Sequence, residues 1–157
     1  MRANELLADV LRKTCKPKEI KSCEIWVEEH VRLSPKSSPL AGKYSLRHTP
    51  YLRQIYRDVS DPRVRKIILK KSAQIGATQL ASNVLLYYVC NFLVPLLMIM
   101  PSKEAAQQFC ERCLTPSIQQ CKAVDPFLTG NPDDLKKTEF LFDSCIARVI
   151  GAGRNHG

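Results

Sequence analysis

The stretch Lys70-Lys71-Ser72-Ala73-Gln74-Ile75-Gly76-Ala77-Thr78 constrains the chain more than any other. Before it runs Val64-Arg65-Lys66-Ile67-Ile68-Leu69, rich in β-branched residues, which reads as a buried strand. After it, residues 79–90 have helical character. A strand, a tight loop with one glycine and then a helix form the setting that a phosphate-binding loop needs. The helix N-terminus offers unpaired N–H groups and a partial positive charge, and both suit an anion. Against the usual pattern G-x-x-x-x-G-K-[ST], Gly76 and Thr78 hold the second-glycine and hydroxyl positions, Ala77 stands where the lysine belongs, and Lys71 stands at the first glycine. By spacing, the loop has moved its lysine from one end to the other. In one reading Lys71 reaches across the loop to the β- and γ-phosphates and Thr78 offers its hydroxyl to Mg²⁺. In the other, a strand ends in a solvated Lys-Lys pair and an ordinary N-capped helix follows.

Residues 81–100 pose a second question of class. The run matches the roughly 20 residues that span a bilayer, with Ser82, Asn83 and Asn91 as its overtly polar members. Pro95 interrupts it, however, and the halves differ. Leu80, Val84, Tyr87, Tyr88 and Asn91 follow helical spacing, whereas Val94, Leu96, Leu97, Met98, Ile99 and Met100 read as a buried parallel strand. A helix and a strand joined at Asn91-Phe92-Leu93 explain both halves. Ser102 then caps a helix over about residues 102–114, and Pro116 restarts it to about Lys122. Residues 139–142 and 145–150 predict a hairpin around Asp143-Ser144.

Upstream, apolar residues at Leu6, Leu7, Val10 and Leu11 predict a helix over residues 4–13. A second helix is expected over residues 20–31, with Ile25, Trp26 and Val31 inward and Glu24, Glu28 and Glu29 as a solvated acidic face. Residues 34–49, with Pro35, Pro39 and Gly42, make the best linker. Thr49-Pro50 predicts a helix start with threonine as N-cap, and Leu52, Ile55, Tyr56 and Val59 as the inner face. The chain divides into a helical arm with linker (1–45) and a core (46–157).

The seven cysteines and an N-terminus unlike a secretory signal predict reduced thiols. Cys110-x-x-Cys113 lacks the second pair or the histidines of a zinc site. The net charge of +9 favours a polyanionic partner and points to nucleic acid.

The central stretch resembles the large terminase subunit of tailed phages, of the lambda-like GpA family, whose deviant phosphate loop has the form K-S-A-[RQ]-[VI]-G-x-[ST]. Lys71, Ser72, Ala73, Gln74, Ile75, Gly76 and Thr78 fit it position by position. Trp26-Val27-Glu28-Glu29 and Thr49-Pro50-Tyr51-Leu52 resemble the approach to the ATPase core, and Met100-Pro101-Ser102 with Ala105, Ala106 and Phe109 its second strand and following helix. The resemblance runs from about Trp26 to about Gly153.

The resemblance implies an α/β, P-loop NTPase-like three-layer fold with a parallel central sheet, incomplete here and preceded by the helical arm. It implies ATP and Mg as cofactors, with residues 71–78 as the nucleotide loop, including Ser72, Ala73, Gln74, Ile75, Gly76 and Ala77. It makes Thr78 the metal ligand and Tyr44, Tyr51 and Gln54 the adenine-side candidates. Implied partners are double-stranded DNA, the terminase small subunit, the portal or procapsid and further copies of the chain, in a bacterial host cytoplasm and away from membranes. The family's strand-Asp-Glu stretch and its nuclease domain have no counterpart in these residues, so no catalytic acid is visible. Two hypotheses stand. The chain is the ATP-binding part of an ATP-driven DNA-packaging motor, or it is a non-catalytic prophage remnant or small basic protein that binds DNA or terminase.

Overall fold

The computed structural model describes residues 19–35, 40–131, 135, 138–143 and 145–153. The helix expected over residues 4–13 lies outside them. The order is α1 (Cys23–His30), β1 (Arg32–Leu33), β2 (Gly42–Lys43), a short turn of helix (Pro50–Leu52), α2 (Arg53–Ser60), α3 (Ala77–Asn91), β3 (Leu96–Met100), α4 (Lys103–Phe109), a π-helical turn (Cys110–Leu114), α5 (Thr115–Gln120), a further short turn (Asp125–Phe127), β4 (Glu139–Phe142) and β5 (Cys145–Gly151). This is a mixed α/β architecture with two small sheets. β1 and β2 pair antiparallel. In the second sheet β5 lies between β3, which is parallel to it, and β4, which is antiparallel.

The ambiguous apolar run at 81–100 resolves into helix and strand. Leu93, at φ +52°, and Pro95 fall between them, and a proline has no N–H for a helix to use. No described helix is long and apolar enough to cross a membrane. The expected hairpin forms with Phe142 opposite Cys145. Ser102 caps α4, its Oγ accepting the Ala105 N–H at 3.1 Å. Gly151 is required by close approach: a Cβ there would stand 2.2 Å from the Lys103 nitrogen, so the end of β5 runs against the start of α4.

Alternation along β4 and β5 puts Phe140, Phe142, Cys145, Ala147 and Val149 into one core, shared with Trp26 and Val27 of α1, Leu86 and Val89 of α3 and Leu114 and Ile118 beyond it. The opposite face of the same sheet exposes Leu97, Ile99, Ile146 and Ile150. Described helices therefore cover one face of the sheet, not both.

The largest correction concerns residues 64–70. They form no strand and no helix, and all are exposed, Ile68 at 79%. A β ladder needs a partner backbone. β5 takes one edge of β3, and an apolar groove of about 470 Å³ separates β3 from residues 64–70. Ile67 and Leu69 line one side of that groove, Leu96, Leu97 and Met98 the other, and Leu80, Ala81 and Val84 of α3 also border it. The parallel pair is β3 with β5.

Several upstream expectations also change. Trp26 is buried, its ring edge-on to Tyr87 at 5.7 Å, but Ile25 is half exposed. Of the three acidic residues expected on a solvated face of α1, Glu29 is exposed and the other two are not. Glu24 is buried and pairs with Arg53 and Arg57 of α2, and Glu28 accepts the Leu46 N–H at 2.9 Å. Among the described residues of 34–49, Tyr44 and Leu46 are buried and Gly42–Lys43 pairs with β1, while Leu40, Arg47 and His48 are exposed.

Candidate nucleotide-binding loop

The loop between residues 70 and 77 is shaped by two left-handed residues, Gln74 at φ +58° and Gly76 at φ +78°. Such a conformation is costly for a side chain bearing a Cβ and free for glycine. A Cβ on Gly76 would meet only Leu52 at 3.8 Å and Thr49 at 3.9 Å, ordinary contacts. The backbone conformation, not crowding, therefore selects glycine there. Gly76 is the N-cap of the 15-residue α3. The first helical bond is donated by Leu80 N–H to the Gly76 carbonyl at 2.9 Å, leaving the amides of Ala77, Thr78 and Gln79 without a helical acceptor.

This helix start opens onto a cavity of about 1000 Å³. Of the residues expected from sequence, Lys71, Gln74, Ile75, Gly76, Ala77 and Thr78 line it, and Ser72 and Ala73 do not. Lys71 Nζ lies 3.5 Å from the carbonyl of Ser72, its neighbour in the chain. No described carboxylate pairs with Lys70 or Lys71.

The three adenine-side candidates separate. Tyr51 is 56% exposed, lines the cavity and donates its hydroxyl to the Ile75 carbonyl at 3.2 Å. Tyr44 reaches the cavity wall, but its ring is buried edge-on to Tyr56 at 6.2 Å, leaving no face for a base to stack on. Gln54 lies away from the lining, its amide donating to Asp58 on the same helix at 2.8 Å.

Sequence reasoning missed Lys43, His48, Thr49 as a wall residue and Cys113, all of which line the cavity. No local pattern marks them, because they arrive from segments folded back over the loop. The nearby thiols are not activated: burial raises the Cys113 thiol above its ordinary range and pushes Cys110 up to about 11. No group of three or more metal-ligating side chains occurs among the described residues. The parallel strands β3 and β5 run at their C-terminal ends into Pro101-Ser102 and Ala152, none of them acidic.

A family model for the phage terminase large subunit gpA, ATPase domain, matches residues 38–153. The match begins beyond Trp26, so the α1 resemblance falls outside it. Neither curated proteins nor solved structures yield a match. The matched span covers about three quarters of the chain and contains the loop, the cavity wall from Leu40 to Tyr51 and the whole β3–β5–β4 sheet. The chain belongs to the ATPase-domain family of the phage terminase large subunit gpA.

Proposed function

We propose that residues 71–78 hold the triphosphate of ATP in a P-loop-like site, as part of a motor that translocates double-stranded DNA during packaging. The observation that carries this is Gly76, left-handed at φ +78°, capping α3 at the mouth of a cavity of about 1000 Å³. The site residues fit the ligand. The α3 amides and the helix dipole favour phosphate oxygens. Lys71 supplies the charge that Ala77 cannot, and it lines the same cavity as Gly76 and Thr78. The Thr78 hydroxyl offers one oxygen to Mg²⁺, a cation that takes much of its shell from water and phosphate. Tyr51 stands at the rim for the base. Bound nucleotide supplies the phosphoanhydride bond whose cleavage drives translocation in such a motor.

A DNA-binding role has separate support. Arg63, Arg65, Lys66, Lys70 and Lys71 are all exposed along one short segment, and the chain carries a net charge of +9. The small subunit, the portal, further copies of the chain and the host cytoplasm belong to this reading as its expected partners and place.

Comparing Lys71→Ala with Lys70→Ala in a nucleotide-binding assay tests the assignment. Loss of the charge-assisted contact in Lys71→Ala is expected to weaken binding by about one to two decades, roughly 1.5–3 kcal/mol, with Lys70→Ala near wild type. Equal losses, or a loss from Lys70→Ala alone, remove Lys71 from the role. The 157-residue chain by itself is expected to hydrolyse ATP near background, since β3 and β5 end without an acidic residue to hold the metal.

A further inference from the structure

Thr49 stands where the sequence predicts an N-cap, yet its side chain makes no capping bond. Its Oγ1 lies instead 3.4 Å from the Tyr44 hydroxyl, at the end of a buried chain of polar groups. Gln79 Nε2 donates to Asn83 Oδ1 at 2.7 Å. Asn83 Nδ2 donates to the Tyr56 hydroxyl at 2.8 Å. The Tyr56 oxygen therefore accepts, and its single proton goes on to Tyr44, 3.1 Å away. Tyr44 then accepts in turn, and its proton has Thr49 Oγ1 as acceptor. Asn83, Tyr56 and Tyr44 are all buried, where a hydroxyl proton without an acceptor is costly. Donated in this sense throughout, the chain runs from Gln79 to Thr49; the Tyr44–Thr49 bond admits either donor, and this sense is the one that leaves the Thr49 proton for a ligand. Both ends of the chain, Gln79 and Thr49, line the cavity that holds Lys71. The methyl group of Thr49 lies 3.9 Å from where a Cβ on Gly76 would sit.

We propose that the Thr49 hydroxyl donates a hydrogen bond to a phosphate oxygen of the ligand held by residues 71–78, with Tyr44, Tyr56 and Asn83 as positioning residues that aim it. This rests on the nucleotide reading above and adds a contact from outside the loop. It gives the buried polar chain a purpose that packing alone does not: a fixed donor beside the loop, oriented before the ligand arrives. The ligand class is the phosphate chain itself, not the base, because Thr49 stands at Gly76 and the start of α3.

Binding of Mg-ATP and of Mg-tripolyphosphate to the full chain, measured by calorimetry, tests it. Thr49→Val is expected to weaken both ligands by roughly tenfold, and Thr49→Ser to stay within about twofold of wild type. Tyr44→Phe is expected to weaken binding roughly threefold when Thr49 is present and to add nothing in the Thr49→Val background, because the two act on one bond. Should Thr49→Val fail to fold by thermal melt, Thr49→Ala takes its place. Wild-type affinity in the valine variant, a loss with ATP but not with tripolyphosphate, or additive losses in the double variant overturns the proposal. If Lys71→Ala weakens binding while Thr49→Val does not, this inference alone falls. If wild type binds neither ligand, the nucleotide reading falls and this inference with it.

Discussion

Glu24 shows how far one carboxylate can depart from what its neighbours in sequence suggest. It shares α1 with Glu28 and Glu29, yet it is buried between α1 and α2 and takes hydrogen bonds from Arg57 and Arg53. The Arg57 guanidinium leads in holding its carboxyl below the usual glutamate range, against the opposing effect of burial. A carboxylate with a depressed folded pKa stabilises the fold above its unfolded value, about 4.3, and loses that contribution as pH falls through the folded value. Glu24→Gln is therefore expected to cost about 1–2 kcal/mol at neutral pH, a modest figure because both arginines are more than a third exposed. The cost should shrink as pH drops below the glutamate range. Urea melts of the two proteins at pH 7 and pH 3 check this, and a pH-independent difference would show that the pair contributes nothing through charge.

At the scale of elements, the segment before the loop behaves unlike the other apolar runs among the described residues. Residues 64–70 carry Val64, Ile67, Ile68 and Leu69, the composition of a strand, but no ladder forms. Strand propensity describes a fit to a pleated, half-buried surface rather than an intrinsic backbone choice, and here that surface is missing on one side. Backbone amides of residues 64–70 should accordingly exchange with solvent at rates near those of an open loop. Amides of β5, bonded to strands on both sides, should be the most protected of the second sheet. Native-state hydrogen exchange read by NMR checks the contrast, and protection at 64–70 matching β5 would mean that this segment is paired in solution. The same reasoning explains why β3, β4 and β5 were legible from the sequence and residues 64–70 were not. Residues 139–142 and 145–151 find each other across a short turn, whereas residues 64–70 need a partner that no local pattern supplies.

At the scale of the molecule, charge and apolar surface are distributed unevenly. Arg63, Arg65, Lys66, Lys70 and Lys71 stand exposed in one segment, and among them only Arg63 has an ion-pair partner, Asp61, whose carboxyl is lowered to about 2 by that pairing. Any DNA affinity should be dominated by phosphate contacts, with little base reading. Log affinity is expected to fall with log salt at a slope of about −3 to −4, and Lys66→Ala should reduce that slope by about one across unrelated DNA sequences. Fluorescence titrations between low and moderate salt check it, and an affinity unchanged over that range would mean that the exposed cations are not the contact.

What the sequence determined by itself is whatever depends on residues near one another along the chain. The glycine at 76 and the helix after it, the split of residues 81–100 at Pro95, the Ser102 cap and the hairpin at 139–151 all follow from local conformational limits and short-range periodicity. The motif Lys71-Ser72-Ala73-Gln74-Ile75-Gly76 with Thr78 carried the family in the same way. What only the tertiary structure decided is what meets across long separations. It buried the Tyr44 ring and left the Tyr51 ring exposed, though both are tyrosines within eight positions and both line the cavity. It brought Thr49 beside Gly76 through the chain of Tyr44, Tyr56 and Asn83. It also left residues 64–70 without a described strand to pair with. Those outcomes depend on which surfaces are close enough to exclude water and exchange hydrogen bonds, and one-dimensional spacing does not encode that proximity.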